Sequence, residues 1–146
     1  MKIALGCDHG GLELKEKVKA HLEQRGFETL DCGTYTLDSC DYPDFGAAAA
    51  RKVASGECER GIVICTTGIG ISIAANKVKG VRCALLSDLM SARMTRQHND
   101  TNMMALGAGV VGENLAYEIV ATWLGTEFSG EARHQRRIDK VMELEK

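Results

Sequence analysis

Cys65 has the setting in this chain that best suits chemistry. It closes an apolar β-branched run, Ile62-Val63-Ile64, and is followed by Thr66-Thr67-Gly68-Ile69-Gly70-Ile71-Ser72 and an Ala-rich stretch. The order strand, thiol, glycine turn, helix places a sulfur at the carboxyl end of a buried strand. There it faces free backbone N–H groups and the positive end of a helix dipole. A thiol so placed ionises more readily than a free cysteine, and an anionic ligand is welcome beside it. The bland alternative is a packed core cysteine; the glycine turn favours the functional thiol.

Three other polar groupings stand out. Cys7-Asp8-His9-Gly10-Gly11 can present a carboxylate and an imidazole to a ligand, or Asp8 can simply cap the helix behind it. Arg96-Gln97-His98-Asn99-Asp100-Thr101-Asn102 is an unbroken polar run beside a strand, which makes His98 with Asn99 the better acid/base candidate. His21, on an amphipathic helix, reads as an exposed residue. Arg133 and Arg137 stand four residues apart in a basic tail, a spacing suited to clamping phosphate or carboxylate. A solvated basic face accounts for the tail equally well. A thiol, an imidazole, hydroxyls beside an N–H nest and paired arginines point to a small anionic substrate. The chemistry they suit is proton abstraction with oxyanion stabilisation.

Elements that could position these groups follow from the periodicity. Strands are predicted at 3–6, 28–31, 61–65, 82–87 and 103–106, and helices at 12–25, 44–55, 70–78, 90–97 and 114–124. Residues 33–43 form the longest loop and carry the only proline, Pro43. The alternation predicts an α/β fold, a Rossmann-like three-layer α/β/α sandwich on a five-stranded parallel sheet, with ligands at the carboxyl ends of the strands. All the polar groups named above are then expected along one sheet edge. The whole chain, 1–146, reads as a single domain, with 129–146 an appended C-terminal helix suited to docking on a partner subunit.

Composition narrows the function classes. The net charge of −2 and the 5% aromatic content argue against nucleic acid and against an anionic membrane surface. The six cysteines, at 7, 32, 40, 58, 65 and 83, stand singly without metal-ligand spacing. No signal peptide is read ahead of the first strand and no apolar run reaches ~20 residues, so a reducing, cytoplasmic setting is expected.

Taken in order, Gly6-Cys7-Asp8-His9-Gly10-Gly11, Asp41-Tyr42-Pro43, the segment Cys65 to Lys77, Arg96 to Asn102, and Arg133-His134-Gln135-Arg136-Arg137 resemble the type B ribose-5-phosphate isomerases. That family also includes the galactose-6-phosphate isomerase subunits. The resemblance runs from about residue 3 to residue 138. It implies a homodimer, or a tetramer built from dimers, whose active sites are each completed by the neighbouring subunit. It implies that Cys65 is the base removing the C2 proton of an open-chain aldose phosphate, while Thr67 and the glycine turn hold the enediolate oxygen. His98 would open the furanose ring. Asp8, Tyr42 and Asn99 would bind sugar hydroxyls, and His9, Arg133 and Arg137 the phosphate. Thr66, Gly68, Ile69, Gly70 and Ser72 would line the pocket. No metal or organic cofactor is implied.

Two departures accompany the resemblance. Thr66 stands where the family commonly has glycine, and Gly109 stands where it usually has a phosphate-binding arginine. Ser72 occupies the position of a glutamate base used by some members, so Cys65 places this chain in the cysteine group. Rival classes fit less well. A thiol phosphatase needs arginine at position 71, which is Ile71, and a dinucleotide-binding module would lack its third glycine at Ile73, although Asp88 is suitably spaced. Within the isomerase reading, a six-carbon aldose phosphate such as allose or galactose 6-phosphate stays open beside ribose 5-phosphate.

Overall fold

The computed structural model describes residues Met1–Lys146. Five strands, β1 (Lys2–Cys7), β2 (Glu28–Asp31), β3 (Arg60–Cys65), β4 (Cys83–Leu85) and β5 (Met103–Gly107), form one parallel sheet in the order β2-β1-β3-β5-β4. Six helices accompany them: α1 (Leu12–Gln24), α2 (Tyr42–Ala54), α3 (Ile69–Asn76), α4 (Leu89–Asn99), α5 (Glu113–Leu124) and α6 (Ala132–Glu143). The α/β sandwich read from the alternating pattern is the fold observed. No helix is long and apolar enough to cross a membrane.

Side chains alternate across the sheet, and each face has its own core. Ile3, Leu5, Ile62, Ile64, Met104 and Leu106 pack with buried residues of α1, α4 and α5. Ala4, Val63, Cys65 and Ala105 pack with Ala49, Ala50 and Val53 of α2 and with Ile71 and Ala75 of α3. Small residues on this second face let α2 approach closely. A methyl group at Gly6 would lie 2.7 Å from the carbonyl oxygen of Phe45.

Element boundaries differ from the sequence pattern where polar chemistry overrides it. Pro43 lies in the first turn of α2, so that helix begins at Tyr42 rather than 44; proline has no N–H to lose there. The edge strand β4 keeps only three of the six predicted residues. α4 runs from Leu89 through Asn99, so His98 and Asn99 are helical, and the chain then reverses through Asp100 at φ 44°. Lys15 is fully buried: its Nζ donates to Asp31 Oδ1 at 2.7 Å and to Thr34 O at 2.6 Å, tying α1 to the chain leaving β2.

Candidate active site

The sheet order reverses at β1, whose successors lie on opposite sides of it, and this opens a crevice at the carboxyl ends of β1 and β3. Asp8 N–H donates to Ile64 O at 3.3 Å, which holds the two strand ends side by side. Cys65 ends β3 with 5% of its surface exposed, and its Sγ accepts the Gly68 N–H at 3.1 Å. Two constraints require glycine at 68. Its φ of 77° is left-handed, and a Cβ would stand 2.8 Å from Leu106 C and 2.9 Å from Gly107 N. The sharp turn therefore directs one N–H back at the sulfur and starts α3 immediately beyond it.

The neighbours of the thiol divide into groups free for a ligand and groups committed to the fold. Thr67 Oγ1 accepts the Ile69 N–H at 3.2 Å, which leaves the hydroxyl proton to be donated elsewhere. The Tyr42 ring lies over Gly70, where a Cβ would come within 2.6 Å of it. Ser72 is different: it is buried, and its hydroxyl donates to Ile69 O at 2.7 Å, locking the first turn of α3. Asp8 does act as a cap, accepting the Gly11 N–H on Oδ1 at 3.1 Å. His9 Nδ1 accepts the Cys40 N–H at 3.2 Å, so Nε2 is the nitrogen left to face a ligand. Thr66 has its hydroxyl against Gly10, and Gly109 lies beside its other atoms, with a Cβ position 3.3 Å from Thr66 Cγ2. His9, Thr66 and Gly109 share a cleft of about 430 Å³.

Other thiols are poor competitors for a catalytic role. Burial pushes Cys7 up to about 11 and Cys83 up to about 12, and it raises Cys32 and Cys58 as well.

The expected gathering of all polar groups at one edge does not occur. α4 starts beyond the carboxyl end of β4 and returns to the start of β5, so its last residues reach the opposite, amino-terminal edge. Arg82 Nε, ahead of β4, donates to Asn99 O at 2.9 Å. Gly61 pairs with Met103 at that edge and Cys65 with Gly107 at the other, a span of ~13 Å along the strands. His98 and Asn99, both exposed, therefore lie across the sheet from Cys65 in the same chain. The linear pattern concealed this because a helix following a parallel strand must run back along it.

His98 and Asn99 have company at their own edge. α6 packs on α4, and His98, Asn99, Arg133, His134 and Arg137 line one cleft of about 970 Å³. Arg133 and Arg137 are exposed, with Arg133 Nε 2.9 Å from Glu131 Oε2. Arg96 is a structural residue instead: only 4% exposed, it donates through Nη1 to Asp100 Oδ1 and Thr101 O and through Nε to Thr126 O. His21 is half-buried rather than exposed, stacked on Tyr117 with ring centroids 4.3 Å apart. Sequence reasoning treated His134 only as part of the basic tail, yet it is buried and lies against His98. Its spacing from Ile138, four residues on and also buried, carried that signal.

The pattern of the family described as Ribose/Galactose Isomerase matches residues 3–141. The chain is similar to ribose-5-phosphate isomerase B of Escherichia coli strain K12, 49% identical over 144 residues that cover 99% of this chain and 96% of that one. It superposes on the ribose-5-phosphate isomerase B structure from Clostridium thermocellum with a TM-score of 0.98 and 55% identity, covering 99% and 97% of the two chains. The structure of the Mycoplasma genitalium ribose-5-phosphate isomerase B with bound ribulose-5-phosphate matches with a TM-score of 0.94 and 40% identity, covering 99% and 95%. This chain belongs to the Ribose/Galactose Isomerase family.

Proposed function

From this family membership and the geometry of its two polar edges, we propose that the protein interconverts ribose 5-phosphate and ribulose 5-phosphate. Cys65 is the base. Its sulfur removes the proton from C2 of the open-chain aldose, leaving a cis-enediolate across C1 and C2. The hydroxyl proton on O2 moves to O1, the thiol returns its proton to C1, and the ketone remains at C2. The oxidation of C2 and the reduction of C1 balance within the sugar, so no external redox partner enters. The observation that carries this reading is the Gly68 N–H aimed at Sγ at 3.1 Å, a donor that stabilises negative charge on the sulfur.

The surroundings take the remaining roles. Thr67 OH and the Gly70 N–H, the one N–H of the 68–70 turn not donated within the turn, hold the enediolate oxygens, with Thr66, Gly68, Ile69, Gly70 and Ser72 as the walls of the pocket. Asp8 and Tyr42 bind sugar hydroxyls and His9 the phosphate. His98, Asn99, Arg133 and Arg137 act on the substrate of a neighbouring chain: His98 protonates the ring oxygen during furanose opening, Asn99 binds a hydroxyl, and the arginines clamp the phosphate. A homodimer with two shared sites accounts for one half-site at each sheet edge. Exposed apolar side chains at Ile69, Ile73, Leu85, Leu89 and Met90 offer it a contact surface. Six free thiols suit a reducing cytoplasm.

The test is Cys65→Ala with ribose 5-phosphate as substrate. Turnover should fall by a factor of about 10²–10⁴, as for loss of a general base, with sugar-phosphate binding by calorimetry retained. Retained turnover would sink the reading. Gly109 leaves the cleft beside His9 and Thr66 without a side chain at that position, which favours a second reading, a six-carbon aldose phosphate. Comparing kcat/KM for ribose, allose and galactose phosphates on one sample decides between them.

A further inference from the structure

His98 carries no hydrogen bond from its ring to another protein group, and it is exposed at the end of a helix. An imidazole in that position is free to rotate unless something holds it. Its one ring contact is His134, with centroids 4.4 Å apart and planes tilted by 39°. His134 is itself well held. It is 6% exposed, and its Nδ1 lies 2.7 Å from Ser129 Oγ. Ser129 is fixed in turn: its Oγ accepts the Glu131 N–H at 3.2 Å, and its own N–H donates to the carbonyl of Gln97, the residue before His98. A closed circuit of contacts thus runs from α4 through Ser129 to α6 and back to the His98 ring.

We propose that His134, anchored by Ser129, is the positioning residue for His98: its buried ring is the wall that sets the plane of the His98 imidazole for ring opening. The proposal rests on the assignment of His98 to that step. The same contact disfavours a proton on His134. Two imidazolium rings at this separation repel, and burial disfavours the charge on His134. Of the groups facing His134, His98, Arg133 and Arg137 also push its pKa down and only Glu131 opposes them. His134 is therefore the ring held neutral. Ser129 Oγ, already an acceptor from Glu131, has its hydroxyl proton available for Nδ1 of a neutral His134.

Three variants test this, each assayed on ribose 5-phosphate and on the analogue lacking the 4-hydroxyl, which cannot close a furanose. His134→Gln removes the wall but can keep a hydrogen bond to Ser129. It should slow ribose 5-phosphate turnover by about tenfold or more while changing turnover of the open-chain analogue by less than about twofold. His134→Phe restores an aromatic wall and should recover most of the loss. Ser129→Ala, which deletes one hydroxyl from an exposed residue, should show the same substrate split at smaller size and serves where His134→Gln fails to fold. Titration of the His134 ring signals by NMR should place its proton uptake below the ordinary histidine value. Equal losses on both substrates, no loss on either in a folded variant, or a His134 titration above the ordinary histidine value would each overturn the proposal. His98→Asn is the control. If it shows no substrate split, the assignment of His98 to ring opening has failed, a result distinct from failure of the His134 variants alone.

Discussion

Mixing inactive chains gives the most direct check on the shared site. One chain carries Cys65→Ala, and the other carries His98→Asn with Arg137→Ala. Cys65 lies at the carboxyl edge of the sheet and His98 at the amino edge, ~13 Å apart along the strands before side-chain offsets, so one chain cannot bring both to the same carbon skeleton. In a two-fold dimer each site then takes Cys65 from one protomer and His98 with Arg137 from the other. In a mixed dimer both lesions meet in one site, and the second site is intact. Random exchange of equal amounts makes about half the dimers mixed, each with one working site of two, so specific activity should return to about a quarter of wild type. Each parent should retain no more than about a hundredth. A chain carrying all three substitutions, mixed equally with wild type, supplies the converse. It spoils both sites of every mixed dimer and should leave about a quarter of wild-type activity instead of a half. The assay is initial-rate formation of ribulose 5-phosphate after native mass spectrometry has verified subunit exchange. If the mixture of two lesions stays at the mean of its parents, Cys65 and His98 serve the same chain's site, and the two-edge argument is wrong.

Two further outcomes follow from the geometry. Gly109→Arg alone should bring little improvement in KM, because its Cβ would stand 3.2 Å from Thr66 O and 3.3 Å from Thr66 Cγ2. Combined with Thr66→Gly it should lower KM for ribose 5-phosphate by about tenfold, the scale of one charge-assisted hydrogen bond, and a double variant no better than the single would show the two positions to be independent. The raised thiols also set a pH limit on stability. Cys7 and Cys83 titrate near 9.0 when unfolded but at about 11 and about 12 when folded, so their contribution is complete below pH 9 and is lost as pH rises through the folded values. Urea midpoints should fall between pH 9 and 11 in the wild type and fall less in a Cys7→Ala, Cys83→Ala variant; identical slopes would refute that cause.

The legible parts of this protein are those governed by local order along the chain. Strand, Cys65, glycine turn and α3 follow one another without a break from Arg60 to Asn76, so the direction of the sulfur and the close turn at Gly68 could be anticipated from residue types. Asp8 as a cap was also legible, because a cap reports only on the next three residues. What the linear pattern hid depends on contacts between distant segments. Arg96 looked like part of a reactive polar run, but its guanidinium is consumed by Asp100, Thr101 and Thr126, the last of them thirty residues away. Lys15 is a buried cation held by Asp31 and Thr34, sixteen and nineteen residues away, and no local pattern announces such partners.

If His98 opens the sugar ring as proposed, its placement makes one chain an incomplete unit of function. A right-handed parallel fold returns every helix to the amino edge of its sheet, so any residue just ahead of a strand is carried away from the ligand crevice. Polar residues at such a position contribute nothing to their own chain's crevice. His98, Asn99, Arg133 and Arg137 nevertheless line one cleft there, and the His98 ring lies against that of the buried His134. In the proposed dimer, a two-fold axis would set the amino edge of one protomer against the carboxyl edge of the other, and the same operation would form both sites at once. On this argument the acid/base group for ring opening and the base for proton transfer at carbon are kept on separate chains. Dissociation would then abolish turnover while leaving each protomer's sheet and thiol turn intact.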